Sequence, residues 1–275
     1  MANNTPTPDR YAVIGHPVKH SCSPMIHQVF ARQTGENMTY ELLDVTSEAF
    51  EAAIRDFGAA GGKGLNATVP HKQAAFDICT EISARAERAR AVNTLIFLSG
   101  GGVKGDNTDG VGFIRDLETN HCQAVAGRSI LILGAGGATR GILGPLLEAL
   151  PATIVLANRT LERAEALVAE FDSQIPISAC RFEELLQTAP AEIVINATSA
   201  GVRGERPAFP PECIGPASFC YDLAYGIKGT PFVAWARKHG AGAVAQGWGM
   251  LVEQAAESFE IWRGKRPNTT ELLAY

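Results

Sequence analysis

The stretch Ser129-Ile130-Leu131-Ile132-Leu133-Gly134-Ala135-Gly136-Gly137-Ala138-Thr139-Arg140 constrains the fold more than any other part of this chain. An apolar run ends in a glycine cluster, and a helical pattern follows over residues 138–150. Such a run reads as a strand of a parallel sheet, followed by a tight turn and a helix N-terminus. Glycines let the backbone approach a pyrophosphate closely, and the free N–H groups and helix dipole stabilise its charge. A dinucleotide is the natural ligand, although a bare strand-to-helix turn would use the same glycines. The usual fingerprint also has Gly or Ala where this chain has Thr139.

The next apolar segment, residues 152–157, bears on which dinucleotide. It ends in Asn158-Arg159-Thr160, with Arg163 one turn further on. An NAD site usually has Asp or Glu about 20 residues beyond the glycines, holding the ribose 2′-hydroxyl. Here there is no acid at the strand end, and two arginines take its place. Arginine matches phosphate as a fork, so this pattern implies NADP with its 2′-phosphate. The competing reading is two solvated arginines at a helix start.

Size and composition narrow the class. The 275 residues suffice for two domains with sizeable cores. A hydrophobic content of 46% and a charged content of 19% fit a soluble globular enzyme, and the net charge of −5 argues against a nucleic-acid surface. No apolar run has the length of a membrane span. The polar start, residues 1–9, reads as a frayed tail rather than a signal peptide. The six cysteines are scattered without a C-x-x-C pair, which fits reduced thiols in a cytoplasm, and the six histidines form no metal-binding motif. No metal is expected.

The chain alternates strand and helix patterns throughout, which predicts an α/β protein with doubly wound parallel sheets. Strands are expected at residues 11–15, 39–45, 64–69, 91–98, 129–133, 152–157, 193–196, 219–223 and 242–245. A turn at residues 100–102 reads as a hairpin. Ser23-Pro24 reads as the N-cap and first position of a helix stopping at Gly35, and Asp109 as the cap of a helix running to about Asn120. Residues 1–109 form an N-terminal α/β domain without a glycine phosphate loop, residues 110–247 form a Rossmann nucleotide domain, and residues 248–275 return to the first. Ligands in such sheets lie at the carboxyl ends of the strands, so the substrate is expected between the two domains.

Polar residues gather at the strand ends of the first domain. Ser21 and Ser23 sit at a helix start, a setting that suits a carboxylate as well as simple capping. Asn66 and Thr68 share a face by the two-residue period. Lys72 follows a turn, where a single lysine is ordinarily a solvated charge. Asn93 places an amide inside an apolar strand, where a buried polar group needs a partner. Asp109 stands at the domain junction.

Together these segments resemble the shikimate dehydrogenase family over nearly the whole chain. The resemblance rests on Ser21-x-Ser23-Pro24, Asn66-x-Thr68-x-Pro70-x-Lys72, Asn93-Thr94, Asn107-Thr108-Asp109-Gly110, the Gly134 to Ala138 loop and Asn158-Arg159-Thr160. Asn196-Ala197-Thr198-Ser199, Tyr221-Asp222-Leu223-x-Tyr225 and Gly247-x-Gly249-Met250-Leu251-x-x-Gln254 complete it. It implies NADPH-dependent reduction of 3-dehydroshikimate to shikimate, on the route to aromatic amino acids. By motif, it makes Lys72 the catalytic acid/base and Asp109 its partner. It gives the substrate carboxylate to Ser21 and Ser23 with Tyr225 near it, and the substrate hydroxyls to Asn66, Thr68, Asn93 and Gln254. It assigns the cofactor pyrophosphate to Gly134, Ala135, Gly136, Gly137 and Ala138, and the adenosine phosphate to Asn158, Arg159, Thr160 and Arg163. Thr198, Leu223, Gly247 and Met250 fall along the nicotinamide half. The family tolerates the threonine at Thr139. The chemistry agrees: reducing a ketone needs a hydride donor and a proton donor at the developing alkoxide, and the cofactor carries the hydride without a metal.

Two other readings stand beside this one. A quinate/shikimate dehydrogenase using NAD would be favoured by an acid at the end of the second nucleotide-domain strand, and Arg159 and Arg163 oppose it. A non-catalytic NADP-binding sensor on the same fold would have lost Lys72 or Asp109. The expected setting is a cytoplasmic enzyme, monomer or homodimer, acting on a small molecule, with no nucleic-acid or membrane partner.

Overall fold

Residues 7–198 and 209–274 are described by a computed structural model. The polar residues 1–6 of the expected tail and Ser199 of the Asn196 motif lie outside them. Two compact units result, one comprising Met1–Gly112 and Leu251–Tyr275, the other Phe113–Met250.

The first unit contains β1 (Asp9–Gly15), α1 (Ser23–Thr34), β2 (Met38–Asp44), α2 (Phe50–Ala59), β3 (Gly62–Ala67), α3 (Lys72–Asp77), β4 (Glu81–Ile82), α4 (Ala84–Ala89), β5 (Thr94–Phe97), β6 (Val103–Asp106) and the start of α5 (Asp109–Arg115). Its sheet runs β2-β1-β3-β5-β6-β4. The expectation of a parallel sheet fails here: β5 pairs antiparallel with both β3 and β6. The cause is local. The Gly100-Gly101-Gly102 turn makes β5 and β6 a hairpin, so no helical crossover separates them. The expected tail is also shorter, because Asp9 opens β1 and pairs with Met38.

Ile14, Leu65, Ala67 and Leu95 of this sheet pack with Phe50, Ile54 and Phe57. Trp262 lies 4.7 Å from the Tyr11 ring, and His27 is stacked between Tyr40, at 4.1 Å, and the Phe259 side. α9 (Trp248–Arg263) carries Phe259 and Trp262, and α10 (Thr270–Leu273) follows it. Arg263 secures this end of α9 by hydrogen bonds to Glu36 and Asp9.

The second unit opens with a π-helical turn, Asp116–Asn120, where the sequence pattern predicts continuous α-helix. Its sheet contains β7 (Ser129–Leu133), β8 (Thr153–Ala157), β9 (Ile177–Cys180), β10 (Ile193–Asn196), β11 (Phe219–Asp222) and β12 (Ala243–Gln246). The helices are α6 (Gly137–Glu148), α7 (Leu161–Ala169) and α8 (Pro231–Lys238). All pairs are parallel and the order is β12-β11-β10-β7-β8-β9. This is the doubly wound Rossmann arrangement, and its order reverses between β7 and β10.

Side chains along each strand alternate between two cores. Ile130, Ile132, Ile154, Leu156, Ile193 and Ile195 pack on one face. Leu131, Leu133, Ala157 and Val194 pack on the other, against Phe232 and Ala236 of α8. Burial on both faces explains why β7 reads as an uninterrupted apolar run. β9, short and half-buried at the sheet edge, leaves no comparable signal in the sequence and is an addition to the expected strands.

Candidate active site

In the first unit the polar strand ends converge. Thr68 follows β3, and its carbonyl accepts the His71 N–H at 2.8 Å, closing the turn that leads into α3. His71 is buried against the Phe50 ring and its Nε2 lies 2.7 Å from the Val45 carbonyl. Lys72, the next residue, opens α3, and its carbonyl accepts the Val92 N–H at 2.9 Å. With its backbone held on both sides, Lys72 directs Nζ to within 2.6 Å of Asp109 Oδ2. The pair is partly shielded, the Lys72 side chain being 33% exposed and that of Asp109 13%.

Asp109 begins α5, but its carboxylate serves other groups. Oδ2 accepts from Lys72, and Oδ1 accepts from Asn93 Nδ2 at 2.9 Å. The Asp109 N–H donates to Asn107 Oδ1 at 3.1 Å, so Asn107 supplies the backbone turn. Asn93 lies just before β5 rather than inside a strand, but it is buried as expected and has the partners that burial demands. Its Nδ2 also lies 2.9 Å from Thr108 Oγ1 and 3.2 Å from Gln254 Oε1, and its Oδ1 accepts the Thr108 N–H at 2.8 Å.

Asn66 extends the network. Its Oδ1 accepts the Tyr40 hydroxyl at 2.6 Å, and its Nδ2 reaches the Asn93 carbonyl, Thr94 Oγ1 and Ser258 Oγ at 3.0, 3.2 and 3.1 Å. Ser21 Oγ donates to Ser23 Oγ at 3.1 Å and accepts the Ser23 N–H at 3.3 Å. Thus Asn66, Asn93, Asp109, Lys72 and Gln254 belong to one connected set, and Ser21 and Ser23 form a separate pair.

One local expectation is corrected. Cys22, not Ser23, is the N-cap of α1, and the cap makes no side-chain hydrogen bond. Ser23 is the first helical residue, and its hydroxyl accepts from Ser21 instead of from the helix N–H groups. Three members of the cluster escape sequence reasoning. Thr108 sits inside a quoted motif, Ser258 lies one helical turn beyond Gln254, and Tyr40 is an ordinary-looking strand aromatic.

The second unit holds the glycine loop. Gly134 has φ +105°, a conformation open to glycine, and an added Cβ would lie 3.1 Å from the Thr198 methyl and 3.2 Å from the Ala197 carbonyl. Thr139, the departure from the fingerprint, is buried, and its hydroxyl donates to the Gly134 carbonyl at 2.7 Å. The hydroxyl therefore braces the loop from beneath. Gly136, the cap of α6, and Gly137 and Ala138 after it are exposed at the helix N-terminus. These open N–H groups, beside the half-buried Ala135, fit a dinucleotide pyrophosphate.

Asn158 donates to the Thr160 carbonyl at 2.8 Å, shaping the turn after β8. Arg159 and Arg163 are exposed, and among the described residues neither pairs with a carboxylate. Thr198 is oriented by Asn196, whose Oδ1 accepts its hydroxyl at 2.8 Å and whose Nδ2 donates to Asp222 Oδ1 at 2.9 Å. Burial pushes the Asp222 carboxyl above its ordinary pKa. Leu223 and Met250 pack against the sheet core. A Cβ on Gly247 would lie 2.2 Å from the Leu223 carbonyl, so backbone crowding explains that glycine directly. Tyr225 belongs to this unit, partly exposed beside Trp248, with ring centroids 6.0 Å apart. Among the described residues, no group of three or more His, Cys, Asp or Glu side chains is arranged for a metal ion, and no helix is long and apolar enough to cross a membrane.

Three family models match the chain: the shikimate dehydrogenase substrate binding domain over residues 13–95, shikimate/quinate 5-dehydrogenase over 116–203, and the shikimate 5′-dehydrogenase C-terminal domain over 247–273. A shikimate dehydrogenase (NADP(+)) from Alkalilimnicola ehrlichii is 53% identical over 97% of each chain. Among solved structures, an Ael1 enzyme from Pseudomonas putida is 44% identical with a TM-score of 0.91, covering 97% of both chains. Shikimate 5-dehydrogenase from Thermus thermophilus, in complex with NADP(H) and shikimate, is 32% identical with a TM-score of 0.84, covering 96% of this chain and 97% of that one. Identity at this level over nearly the full length, joined to the polar cluster around Lys72 and the Rossmann loop at Gly134, places the chain in the shikimate dehydrogenase family.

Proposed function

We propose that this protein is an NADP-dependent shikimate dehydrogenase, reversibly reducing 3-dehydroshikimate to shikimate with NADPH. The observation that carries this is the Lys72–Asp109 pair, 2.6 Å apart and held by Asn93 within a network of neutral polar side chains. In this reading the units divide the work, with Met1–Gly112 and Leu251–Tyr275 binding substrate and Phe113–Met250 binding NADP, a few residues off the boundaries expected from the sequence.

Carbonyl reduction leaves negative charge on the substrate oxygen. Lys72 supplies the proton to that oxygen, and in the oxidative direction takes it back. Asp109 keeps the ammonium aimed and balances its charge. Ser21 and Ser23 hold the substrate carboxylate, and Asn66, Thr68, Asn93 and Gln254 hold the hydroxyls. The hydrogen bonds of Asn93 with Asn66 and Gln254, and of Ser21 with Ser23, preorganise these side chains, so little reordering of them accompanies binding. When bound, NADPH supplies the hydride. Gly134, Ala135, Gly136, Gly137 and Ala138 would hold its pyrophosphate, and Asn158, Arg159, Thr160 and Arg163 its adenosine phosphate. Thr198, Leu223, Gly247 and Met250 would line the nicotinamide half.

An NAD-linked quinate/shikimate dehydrogenase is disfavoured by Arg159 and Arg163, exposed and without carboxylate partners among the described residues. A non-catalytic sensor is disfavoured by the retained and assembled Lys72–Asp109 pair. The enzyme is proposed to work in the cytoplasm on a small molecule, as a monomer or homodimer. Nicotinamide absorbance with shikimate and quinate, each with NADP and NAD, tests the reading. Turnover is expected with shikimate and NADP, and preferential turnover of quinate with NAD would overturn it.

A further inference from the structure

We infer that Arg85, which touches none of the proposed substrate-binding side chains, is a positioning residue that holds two of their supporting segments in register through a single guanidinium. This rests on the functional reading of the Lys72 cluster given above. Arg85 lies in the first turn of α4, just after the N-cap Ser83. Its Nε and Nη2 donate to the two oxygens of Asp106 at 2.7 and 2.9 Å, a bidentate fork. Its Nη1 donates to Glu257 Oε1 at 2.9 Å.

The two acids sit at telling places. Asp106 ends β6, three residues before Asp109. It is further held by the Ser83 hydroxyl at 2.5 Å and accepts the Asn107 N–H at 2.7 Å. Burial works against its ionisation, but the Arg85 and Ser83 hydrogen bonds outweigh this and hold its pKa below the usual carboxylate range. Glu257 lies on α9, three residues after Gln254 and one before Ser258. On the far side of the fork, Thr108 from the β6–α5 segment meets Ser258 at 3.1 Å and Gln254 at 3.3 Å. The segment carrying Asp109 and the helix carrying Gln254 are therefore joined twice, once by neutral side chains inside the cluster and once by Arg85 outside it.

Lysine at this position keeps the charge but loses the planar fork, so it cannot hold both acids in the same geometry. Arg85→Lys is the primary variant, because Arg85→Ala would remove the guanidinium that pairs with the partly buried Asp106. Arg266→Lys is the comparator: Arg266 bonds Glu253, Glu257 and Glu260, all on α9, and so lacks the connection to Asp106. In Arg85→Lys the KM for shikimate should rise about tenfold or more, the scale of one displaced charge-assisted hydrogen bond, with the KM for NADP little changed. Amide hydrogen exchange should quicken together in residues 104–112 and 252–260, and Arg266→Lys should not reproduce this pair of effects. An unchanged shikimate KM in a folded Arg85→Lys enzyme would overturn the inference, as would faster exchange confined to α4. If the wild-type enzyme does not turn over shikimate, the functional reading fails by itself, and the exchange measurement still decides whether Arg85 couples the two segments.

Discussion

Lys72→Met separates proton transfer from packing, because methionine keeps most of the length and loses the charge. A partly exposed ion pair contributes only about 0–1 kcal/mol to stability. Lys72 is one-third exposed, and Asp109 keeps the Asn93 amide as a partner after the substitution. The variant should therefore lose about 1 kcal/mol or less in unfolding experiments. Loss of a positioned proton donor costs far more, about 10²–10⁴ in turnover. At about 1.36 kcal/mol per tenfold, that is roughly 2.7–5.5 kcal/mol of barrier. Shikimate oxidation followed at the nicotinamide band, beside thermal unfolding of the same preparation, distinguishes the two scales. NADP affinity should stay near normal, since the glycine loop and the arginines belong to the other unit. Asp109→Asn should also lower turnover, and the double variant should lose less than the product of the single losses, because the pair acts as a unit. Near-normal turnover in folded Lys72→Met enzyme would refute the assigned role, and strictly multiplicative losses would refute the coupling.

Arg159→Ala should raise the apparent constant for NADP about tenfold or more, the scale of one charge-assisted hydrogen bond, while barely affecting NAD; equal losses for both cofactors would remove the 2′-phosphate assignment. His27, buried among aromatic rings, has its pKa driven down to about 3 by burial, with Asn66 acting the other way. The unfolded chain therefore binds a proton that the folded one refuses, and the stability His27 contributes is full above about pH 6.5 and declines by up to about 1.4 kcal/mol per pH unit as pH falls toward 3. His27→Phe should flatten that part of the stability profile, and an unchanged acid slope in denaturant titrations would contradict it. Gly247→Ala must push the backbone off the Leu223 carbonyl, so unfolding should show a loss of about 1–3 kcal/mol; unchanged stability would mean the contact relaxes freely. Ser23→Ala should weaken shikimate binding with little loss of stability, because Cys22 and not Ser23 caps α1; a large drop in melting temperature with unchanged binding would reverse that.

Local signals in the sequence determined much of this protein. The run at residues 129–133 and the glycines after it determined a buried parallel strand, its turn and the helix that follows, because burial on both faces and positive φ each leave a plain mark on residue choice. The absence of an acid at residues 158–160, the strand end, with Arg159 and Arg163 nearby, pointed to the cofactor's phosphate. Motif order supplied the family and, through it, Lys72 and Asp109, which composition and periodicity alone leave as a surface lysine and a helix cap. Tertiary structure alone decided the rest. The antiparallel placement of β5 depends on which strands its hairpin meets, a non-local choice. Thr139 became intelligible only when its hydroxyl met the Gly134 carbonyl five residues back. Arg85, Asp106 and Glu257 carry ordinary surface chemistry in the sequence, and their joint position appears only when residues up to 172 apart are brought together by the fold. Hydrophobic period and turn chemistry are written into neighbouring residues, whereas the partner of a polar side chain is chosen by the packing of distant segments.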